Sequence, residues 1–367
     1  MAMNFPDSPS VGDRYTVDNQ TWEWTGTTWD SVTETSQLTG GTAGYTALSN
    51  GTAGLSYQPV SPNYIINGAF DINQRGFTTT TAEEYIFDRW KTNPFGGSVT
   101  YEAKTFTPGE LSTQVIGDAT NYLRITSTGG NVNQARLEHY VEDVRTLAGQ
   151  SATLSFYAKM NSSNTYRVQV IQSFGSGGSG AVIVESVNVS IGTTWERHEI
   201  NFTMDSVSGK TIGDGSSTYL RFYNPDNESF TLDLWGVQLE AGSIATPFKR
   251  NANSIQGELA ACQRYYYRFG GGAGVPLGSG VGHTSSSGFA LVKLPVPMRA
   301  NSTGSIVAQG FRFAGDNSVT RSVTVDSAFV NSLQNDAAQI NVSGSFTQGY
   351  AYQFNGNGGL VEFSAEL

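Results

Sequence analysis

Three histidines are the side chains of this chain best suited to acid–base chemistry, and they stand far apart in the sequence. Nucleophilic catalysis needs a histidine beside an activated hydroxyl or thiol. His139, His198 and His283 lie in three different contexts, and the segment Gly278–Gly282 has the wrong register for a nucleophile turn. His198 sits within an alternating strand pattern, so we interpret it as an ordinary strand histidine. The residues therefore predict no catalytic triad.

A short acidic segment offers the carboxylates that glycan hydrolysis would need. Such hydrolysis uses two carboxylates held several ångströms apart across a sugar-binding cleft. Glu138, Glu142 and Asp143 lie close to His139, with apolar residues between them. The same pattern describes solvated acids beside a strand or a short helix. We therefore assign no catalytic residue and expect no enzyme activity.

Metal and phosphate sites receive little support from the residue types. One cysteine and scattered histidines lack the fixed ligand spacing of a zinc site. The glycine-rich segment 174–180 is followed by no Lys-Ser or Lys-Thr pair, which predicts a loop tip and not a phosphate-binding loop. A structural calcium ion stays open without assigned ligands, because calcium takes oxygen ligands from loops, and we expect no cofactor. The oxygen-bearing residues at the ends of the main β region are Asp71, Asn73, Glu83, Glu84, Asp88 and Asp233.

The elements that position these residues are predicted to be strands. The 367 residues are too many for one ordinary core, so two or three domains are expected. Charged residues make up only 14% of the chain, and the runs of Ala, Leu, Glu and Lys that build long helices are missing. Abundant Thr, Val, Tyr and Phe favour strands, and 43 glycines supply turns. The composition therefore predicts an all-β protein.

The charge and the first residues limit the partners and the compartment. The net charge is −10 and the lysines and arginines form no cluster, which argues against nucleic acid and an anionic membrane surface. No apolar run approaches the roughly 20 residues that span a bilayer. Residues 1–7 lack a basic segment and an apolar stretch, so we expect no secretion signal and synthesis in a cytoplasm. The single cysteine, Cys262, cannot form an internal disulfide.

The first 62 residues divide into two small segments. Residues 1–35 predict a hairpin and a third short strand after Gly26, with three tryptophans in a very small core. Such a core is marginal alone and is expected to need a partner chain or a neighbour. Residues 36–62 repeat Gly-Thr-Ala-Gly at a ten-residue spacing. This segment is either a flexible linker or a shaft in which three chains intertwine. In a shaft, the buried residues would be Tyr45, Leu48, Leu55 and Tyr57.

Alternation of apolar and polar residues predicts two larger β regions. Residues 63–250 contain short alternating strands separated by turns, which is typical of an antiparallel sandwich or jelly roll. Residues 264–367 alternate again and predict a second β-sandwich.

A single short helix is predicted between these regions, at residues 251–263. Asn253 or Ser254 can cap it. Apolar residues follow at positions i, i+4 and i+7, as Ile255, Leu259 and Cys262.

Five short motifs resemble parts of bacteriophage tail-fibre proteins. Residues 64–77 with 87–90, and residues 232–248, resemble the opening and closing strands of a carbohydrate-binding-like jelly roll in those proteins. The resemblance covers most of residues 10–270. The motifs are Asn67-Gly-Ala-Phe70, Gln74-Arg-Gly76, Gln238-Leu-Glu240, Ala245-Thr-Pro-Phe248 and Cys262-Gln-Arg-Tyr265.

This resemblance implies a virion structural protein, a homotrimer that adheres to a host-cell glycan or receptor. Residues 1–35 would attach the fibre to tail or adaptor proteins, residues 36–62 would form the shaft, and residues 264–367 would form the receptor-binding tip. The alternatives are a purely structural decoration fibre and a polysaccharide-degrading enzyme. Fibres of the degrading kind usually carry long β-helix repeats, and this sequence has none.

Sugar recognition is the chemistry that remains. Aromatic faces contact the C–H edges of sugars while amides and carboxylates bind their hydroxyls. Tyr265, Tyr266 and Tyr267 alternate along one strand, so at least one of its faces is buried, and we interpret them as structural. The loops after Gly270 and at 282–288 are expected to be outward recognition surfaces. No ligand-binding residue is assigned.

Overall fold

The computed structural model of the chain describes residues 6, 8–17, 20–32, 45–49, 55–59, 61–94, 99–111, 119–129, 135–223, 228–316, 319–330 and 336–367. The chain divides into two compact units, Met1–Val60 and Ser61–Leu367. Antiparallel strands make up nearly all of the regular structure, which confirms the predicted all-β class. Within the described residues, no helix is both long and apolar enough to cross a membrane.

The N-terminal residues form the predicted hairpin and third strand: β1 (Arg14–Val17), β2 (Gln20–Trp24) and β3 (Trp29–Val32). These strands make one antiparallel sheet with β2 in the centre. The rings of Trp24 and Trp29 lie 5.6 Å apart. Both tryptophans are only partly buried, so this small core stays open to solvent.

Two strands, β4 (Tyr45–Ser49) and β5 (Leu55–Pro59), lie in the repetitive segment and pair antiparallel. Tyr45 is opposite Pro59, and Ser49 is opposite Leu55. The Gly-Thr-Ala-Gly repeats, and the side-chain contacts on which the shaft interpretation depends, lie outside the described residues.

The larger unit begins with a sandwich of two antiparallel sheets. Its strands are β6 (Thr79–Thr80), β7 (Trp90–Asn93), β8 (Val99–Thr105), β9 (Asn121–Thr128), β10 (Arg136–Glu142), β11 (Ser151–Met160), β12 (Asn164–Ser173), β13 (Val182–Ile191), β14 (Glu196–Thr203), β15 (Ser217–Tyr223) and β16 (Ser229–Ala241). One sheet has the order β13-β12-β15-β10-β7, and the other has the order β14-β11-β16-β9-β8-β6. The antiparallel sandwich predicted for this region is therefore confirmed.

Alternation along each strand builds the core between the two sheets. In β10, Leu137 and Val141 belong to this core, whereas Tyr140 and Glu142 lie on the opposite side of the strand. Burying each large apolar side chain stabilises the fold by about 1.5–3 kcal/mol. Core residues from both sheets that are at most 1% exposed include Trp90, Phe156, Phe222, Leu234 and Leu239.

The segment 64–77 is not the opening strand that the sequence predicts. It does lie along the last strand, because Tyr64 N donates to Leu239 O at 2.8 Å. Its backbone forms turns, however, since Asn67 and Phe70 hold left-handed φ values of 61° and 57°. Left-handed residues interrupt the extended conformation that a strand needs.

Gly68 fixes how closely this segment approaches β16. A Cβ atom on Gly68 would lie 2.0 Å from the carbonyl oxygen of Val237. The amide of Val237 also donates to Gly68 O at 2.9 Å. Only glycine permits this backbone-to-backbone contact.

The C-terminal strands form one nine-stranded sheet. They are β17 (Tyr266–Gly270), β18 (Pro276–Gly282), β19 (Ser287–Lys293), β20 (Thr303–Ala308), β21 (Phe311–Asp316), β22 (Val319–Val330), β23 (Ala337–Ser343), β24 (Ala351–Gly356) and β25 (Leu360–Ser364). Their order is β17-β25-β20-β22-β21-β24-β18-β19-β23. The first half of β22 pairs with β21 and the second half with β23, so the sheet closes on itself. The closed sheet encloses a separate core in sandwich-like layers.

One described helix, α1 (Ile255–Gln263), connects the two β regions, as predicted. Ser254 caps it, and its hydroxyl accepts a hydrogen bond from Gly257 N at 3.1 Å. The buried side of the helix differs from the apolar spacing in the sequence. Ile255 and Leu259 are 41% and 36% exposed, whereas Glu258 is 2% exposed. Glu258 is buried because its carboxylate accepts the backbone amides of residues 67 and 252.

Candidate functional site

The outer side of the five-stranded sheet carries tyrosine and cationic side chains in neighbouring positions. Antiparallel register places Tyr140 opposite Tyr219 and Glu138 opposite Arg221. These residues alternate with core residues along their strands, so they project away from the sandwich interior. We call this surface the tyrosine–arginine face, and its side chains are Lys91, Arg136, Glu138, Tyr140, Arg167, Gln169, Tyr219, Arg221 and Tyr223.

Two stacked tyrosines occupy the middle of the face. The rings of Tyr140 and Tyr219 lie 5.1 Å apart with an interplanar angle of 28°, and both side chains are partly exposed. Burial raises the pKa of Tyr140, and the Glu138 carboxylate raises it further. Burial also raises the pKa of Tyr219, against the opposing effect of Arg221. Both hydroxyls therefore stay protonated near neutral pH and can donate as well as accept hydrogen bonds.

Glu138 organises the charged side chains around these rings. Its Oε1 accepts from Arg136 Nε at 2.9 Å and from Arg221 Nε at 2.7 Å, and its Oε2 accepts from the Tyr140 hydroxyl at 3.0 Å. Burial lowers the pKa of Arg221, but the charge and hydrogen bond of Glu138, together with Tyr219 and Tyr223, outweigh burial and raise the pKa. Glu138 is only 3% exposed, so the sequence interpretation of a solvated acid is wrong at this position. Pairing with two guanidinium groups explains how a carboxylate is buried there.

Tyr223 lies between two guanidinium groups at the other side of the face. Arg221 Nη1 donates to the Tyr223 hydroxyl at 2.8 Å. The central carbon of the Arg167 guanidinium lies 4.1 Å from the centre of the same ring. Arg167 is exposed and makes no ion pair with any carboxylate among the described residues.

This arrangement is suited to binding and carries no pair of free carboxylates. Glu142, the next acid on the same side of β10, accepts from Arg264 Nη2 at 2.9 Å and from the Tyr265 hydroxyl at 2.8 Å. Burial raises the pKa of Glu142, but these two hydrogen bonds outweigh it and hold the pKa below its usual value. Asp143 pairs with the exposed Arg145. The three acids of the sequence analysis are thus each bound to an arginine.

The three histidines are not brought together. His139 is buried, lies 4.8 Å from the Trp90 ring, and its Nε2 lies 2.9 Å from Ile66 O. Burial lowers the pKa of His139 to about 3, so this histidine is neutral near neutral pH. His198 packs against a core phenylalanine, and burial lowers its pKa as well. His283 is exposed in the turn between β18 and β19.

Four of the six calcium candidates bind cationic side chains, whereas Glu84 hydrogen-bonds through its backbone to Thr92. Asp71 pairs with Arg250, Asp88 with Arg75, Asp233 with Arg124, and Glu83 with Lys91. The side chain of Asn73 bonds to the backbone of Phe77. In the part of the chain that the structure describes, no group of three or more His, Cys, Asp or Glu residues is arranged to hold a metal ion.

Two of the motifs that resemble fibre proteins, Gln74-Arg-Gly76 and Cys262-Gln-Arg-Tyr265, lie where the sandwich contacts the C-terminal sheet. Arg89 is completely buried and pairs with Glu366, and its guanidinium lies 3.5 Å from the Tyr265 ring centre. Arg75 pairs with Asp88 and lies 3.7 Å from the Tyr266 ring centre. Tyr265 and Tyr266 are each 3% exposed. These two motifs therefore contribute to a junction, where their side chains are buried and not available as a recognition surface.

The two loops expected to be recognition surfaces carry few side chains for sugar binding. The turn at 282–288 is exposed around His283, and the Thr284 hydroxyl accepts the backbone amides of residues 286 and 287 at 3.2 and 2.9 Å. The segment 271–275 contains only glycine, alanine and valine.

The tyrosine–arginine face was not predicted from the sequence. The signal was present in Tyr219-Leu-Arg-Phe-Tyr223 and Tyr166-Arg-Val-Gln169, where aromatic and cationic residues alternate with apolar ones. The order of the strands in the sheet decides which of these side chains come together, and the alternation of residues along each strand does not predict that order.

Comparisons with known proteins find similar structures only at low similarity. No family model matches the chain, and no curated protein matches it. A family 11 carbohydrate-binding module from Clostridium thermocellum, solved with a β-1,3-1,4-mixed-linked tetrasaccharide, is 14% identical over 46% of this chain and 97% of its own, with a TM-score of 0.29. The enzymatically active domain of tailspike protein 4 from bacteriophage CBA120 is 16% identical over 49% of this chain and 21% of its own, with a TM-score of 0.32. A cyclase from Fischerella sp. TAU is 14% identical over 50% of this chain and 97% of its own, with a TM-score of 0.35. These values carry no argument about the ligand or the activity of this chain.

Proposed function

We propose that this chain is a non-catalytic glycan-binding protein and that the saccharide binds on the tyrosine–arginine face. The observation that carries the proposal is the stacked, partly exposed pair Tyr140 and Tyr219 beside hydrogen-bonding groups on a rigid sheet. Tyrosine rings offer an apolar surface to the C–H side of a sugar, and their hydroxyls meet its polar edge.

The side chains of the face are held in place before any ligand arrives. Glu138 fixes Arg136, Arg221 and Tyr140 by hydrogen bonds of 2.7–3.0 Å. A preformed site loses little side-chain entropy on binding, which favours affinity. The same bonds argue against hydrolysis, because a carboxylate that neutralises two arginines is poorly placed to transfer a proton to a glycosidic oxygen.

The wider role in this proposal is that of a bacteriophage virion fibre that attaches to a host-cell glycan or receptor. Residues 1–35 attach to tail or adaptor proteins, residues 36–62 form a trimeric shaft, residues 63–250 form the jelly roll, and the connector 251–263 leads to a receptor-binding tip at 264–367. Support comes from the resemblance of five short motifs to phage fibre proteins, two of which contribute to the junction between the sandwich and the C-terminal sheet. A purely structural decoration fibre is the alternative.

A binding experiment with the full chain tests the glycan site. Immobilised bacterial surface polysaccharides are probed with the purified protein and with Tyr219→Ala, which removes one ring of the stacked pair. The variant is expected to lose roughly ten- to hundredfold in affinity, since burying a large apolar side chain contributes roughly 1.5–3 kcal/mol. Tyr350→Ala is the matched control, because Tyr350 is 39% exposed in the C-terminal region, directly before β24.

The outcomes of this experiment separate the alternatives. Loss of binding in Tyr350→Ala and not in Tyr219→Ala would move the site to the C-terminal region. No binding to any polysaccharide would favour the purely structural fibre. Release of reducing ends from a bound polysaccharide would contradict the absence of catalysis.

A further inference from the structure

We infer that the saccharide bound on the tyrosine–arginine face carries an anionic substituent, and that Arg167 and Arg221 bind it. The inference rests on the proposed glycan-binding function and names the chemical class of the ligand. It depends on the distribution of charge over the face, on the pairing of Glu138 and on the position of Arg167.

The face has an excess of positive charge in a strongly acidic protein. Four cationic side chains, Lys91, Arg136, Arg167 and Arg221, surround one carboxylate of the face, Glu138, and the other acid on this side of β10, Glu142, pairs with Arg264 beyond the face. The whole chain has a net charge of −10. Because ions screen exposed charges beyond about 8–10 Å, a ligand on the face responds mainly to the local cations.

The one carboxylate does not cancel this excess. Glu138 is shared between Arg136 and Arg221, so this triad keeps one positive charge. Lys91 pairs with Glu83, which lies outside the face and is 53% exposed. Arg167 has no carboxylate partner among the described residues. A neutral ligand would leave the guanidinium charge of Arg167 without a carboxylate among the described residues, whereas an anion would offset it.

Arg167 and Arg221 stand on adjacent strands and flank the same ring. The guanidinium carbons of Arg167 and Arg221 lie 4.1 and 5.4 Å from the centre of Tyr223. Arg221 uses Nε for Glu138, Nη1 for the Tyr223 hydroxyl and Nη2 for a longer bond of 3.4 Å to the Tyr219 hydroxyl, which leaves two of its five N–H groups for a ligand. A planar guanidinium binds a carboxylate or a phosphate through two parallel hydrogen bonds. The anionic group therefore lies beside Tyr223, and the sugar ring extends toward Tyr219 and Tyr140.

The first experiment measures binding of the full chain to an array of bacterial surface polysaccharides with carboxylate-bearing, phosphate-bearing and uncharged members. We expect the bound members to carry carboxylate or phosphate. Comparison of the carboxylate-bearing with the phosphate-bearing members identifies which of the two anions is preferred. Chemical reduction of the carboxyl groups of a bound acidic member should abolish its binding. Preferential binding of uncharged members would overturn the inference and leave the proposed function standing. Binding to no member would contradict both.

The second experiment uses Arg167→Gln with the best anionic ligand. Loss of one charge-assisted contact is expected to weaken binding roughly ten- to hundredfold. Arg167→Lys keeps the charge and should retain part of the affinity. Arg145→Gln is the matched control, because it removes the same charge from an exposed side chain outside the face and should leave affinity unchanged. Equal affinity of Arg167→Gln and the unchanged protein would overturn the role of Arg167.

Salt dependence gives an independent measurement on the unchanged protein. Raising the salt concentration from about 0.05 to about 0.5 M should weaken binding of the anionic ligand several-fold. The Arg167→Gln variant should show a smaller dependence. Binding that is insensitive to salt in both proteins would contradict ionic recognition.

Discussion

The guanidinium of Arg89 lies 3.5 Å from the centre of the Tyr265 ring, and both residues are almost completely buried. Arg89 comes from the turn that leads into β7 of the sandwich, and Tyr265 precedes β17 of the C-terminal sheet. Arg89 also donates to the Tyr140 carbonyl and pairs with Glu366. A buried cation thus joins the C-terminal sheet to the strand that carries the tyrosine–arginine face.

Glu366→Gln tests how much the junction contributes to stability. The substitution leaves the buried charge of Arg89 without its carboxylate, and breaking a buried pair in this way costs about 3–5 kcal/mol. The free energy of unfolding of the full chain, measured by urea denaturation, should fall by that amount. Arg145→Gln, which breaks an exposed pair, should change it by less than about 1 kcal/mol. Equal effects of the two variants would contradict a structural role for the Arg89–Glu366 pair.

His139 should make the protein sensitive to acid. Burial lowers the pKa of His139 to about 3, below the value of 6.5 that it regains on unfolding. Between these values the unfolded chain takes up a proton that the folded chain does not, so stability falls as the pH falls. The contribution is present above pH 6.5 and amounts to roughly 5 kcal/mol. His139→Gln cannot titrate, and its stability should depend less on pH over this range. Parallel curves for the two proteins would contradict the prediction.

Asp88 should act in the opposite direction. Burial raises the pKa of Asp88 to about 6 from 3.8, against the opposing charge of Arg75. A raised pKa means that the folded chain binds the proton more tightly, so this contribution is present below pH 3.8 and is lost as the pH rises through 6. The stability of the unchanged protein relative to Asp88→Asn should therefore decrease between pH 4 and 6. Thermal unfolding of both proteins across this pH range measures the difference in stability. An increase in the relative stability of the unchanged protein as the pH rises would show that the direction of the Asp88 pKa shift is wrong.

Gly68→Ala should destabilise the sandwich. Its new Cβ would lie 2.0 Å from the Val237 carbonyl oxygen, so the turn segment or β16 must shift, at a cost of about 1–3 kcal/mol. Gly180→Ala is the control, because no atom lies within 4 Å of the corresponding position. The melting temperature should fall for the first variant and stay nearly constant for the second. An unchanged melting temperature for Gly68→Ala would indicate that the turn around Gly68 can move away from β16 without loss of stability.

Trimerisation is tested directly on the full chain. The proposed shaft at 36–62 and the partly exposed Trp24 and Trp29 of the first unit both favour association, because apolar surface that is open in one chain can be buried by others. Sedimentation velocity and mass photometry should give three times the chain mass. A monomer at high protein concentration would remove the trimer from the proposal.

The sequence by itself determined the β class, the approximate position of α1 and the side of each strand that faces the core. Alternation is a local property: in β10, Leu137 and Val141 must face one way and Tyr140 the other, whatever the strand lies beside. The cap of α1 at Ser254 is local as well, since it needs only a hydroxyl at the start of the helix.

Only the tertiary structure decided what those outward side chains do. Glu138 is buried because β15 lies beside β10 and places Arg221 opposite it, a pairing between residues 83 positions apart in the chain. Glu258 is buried beneath α1 for a similar reason, because the turn at Asn67 supplies the amide that its carboxylate binds. The hydrogen-bond partners of these two buried carboxylates come from segments that are distant in the sequence. Which segments become neighbours depends on strand order, and strand order is set by the packing of the whole core and not by any local sequence pattern.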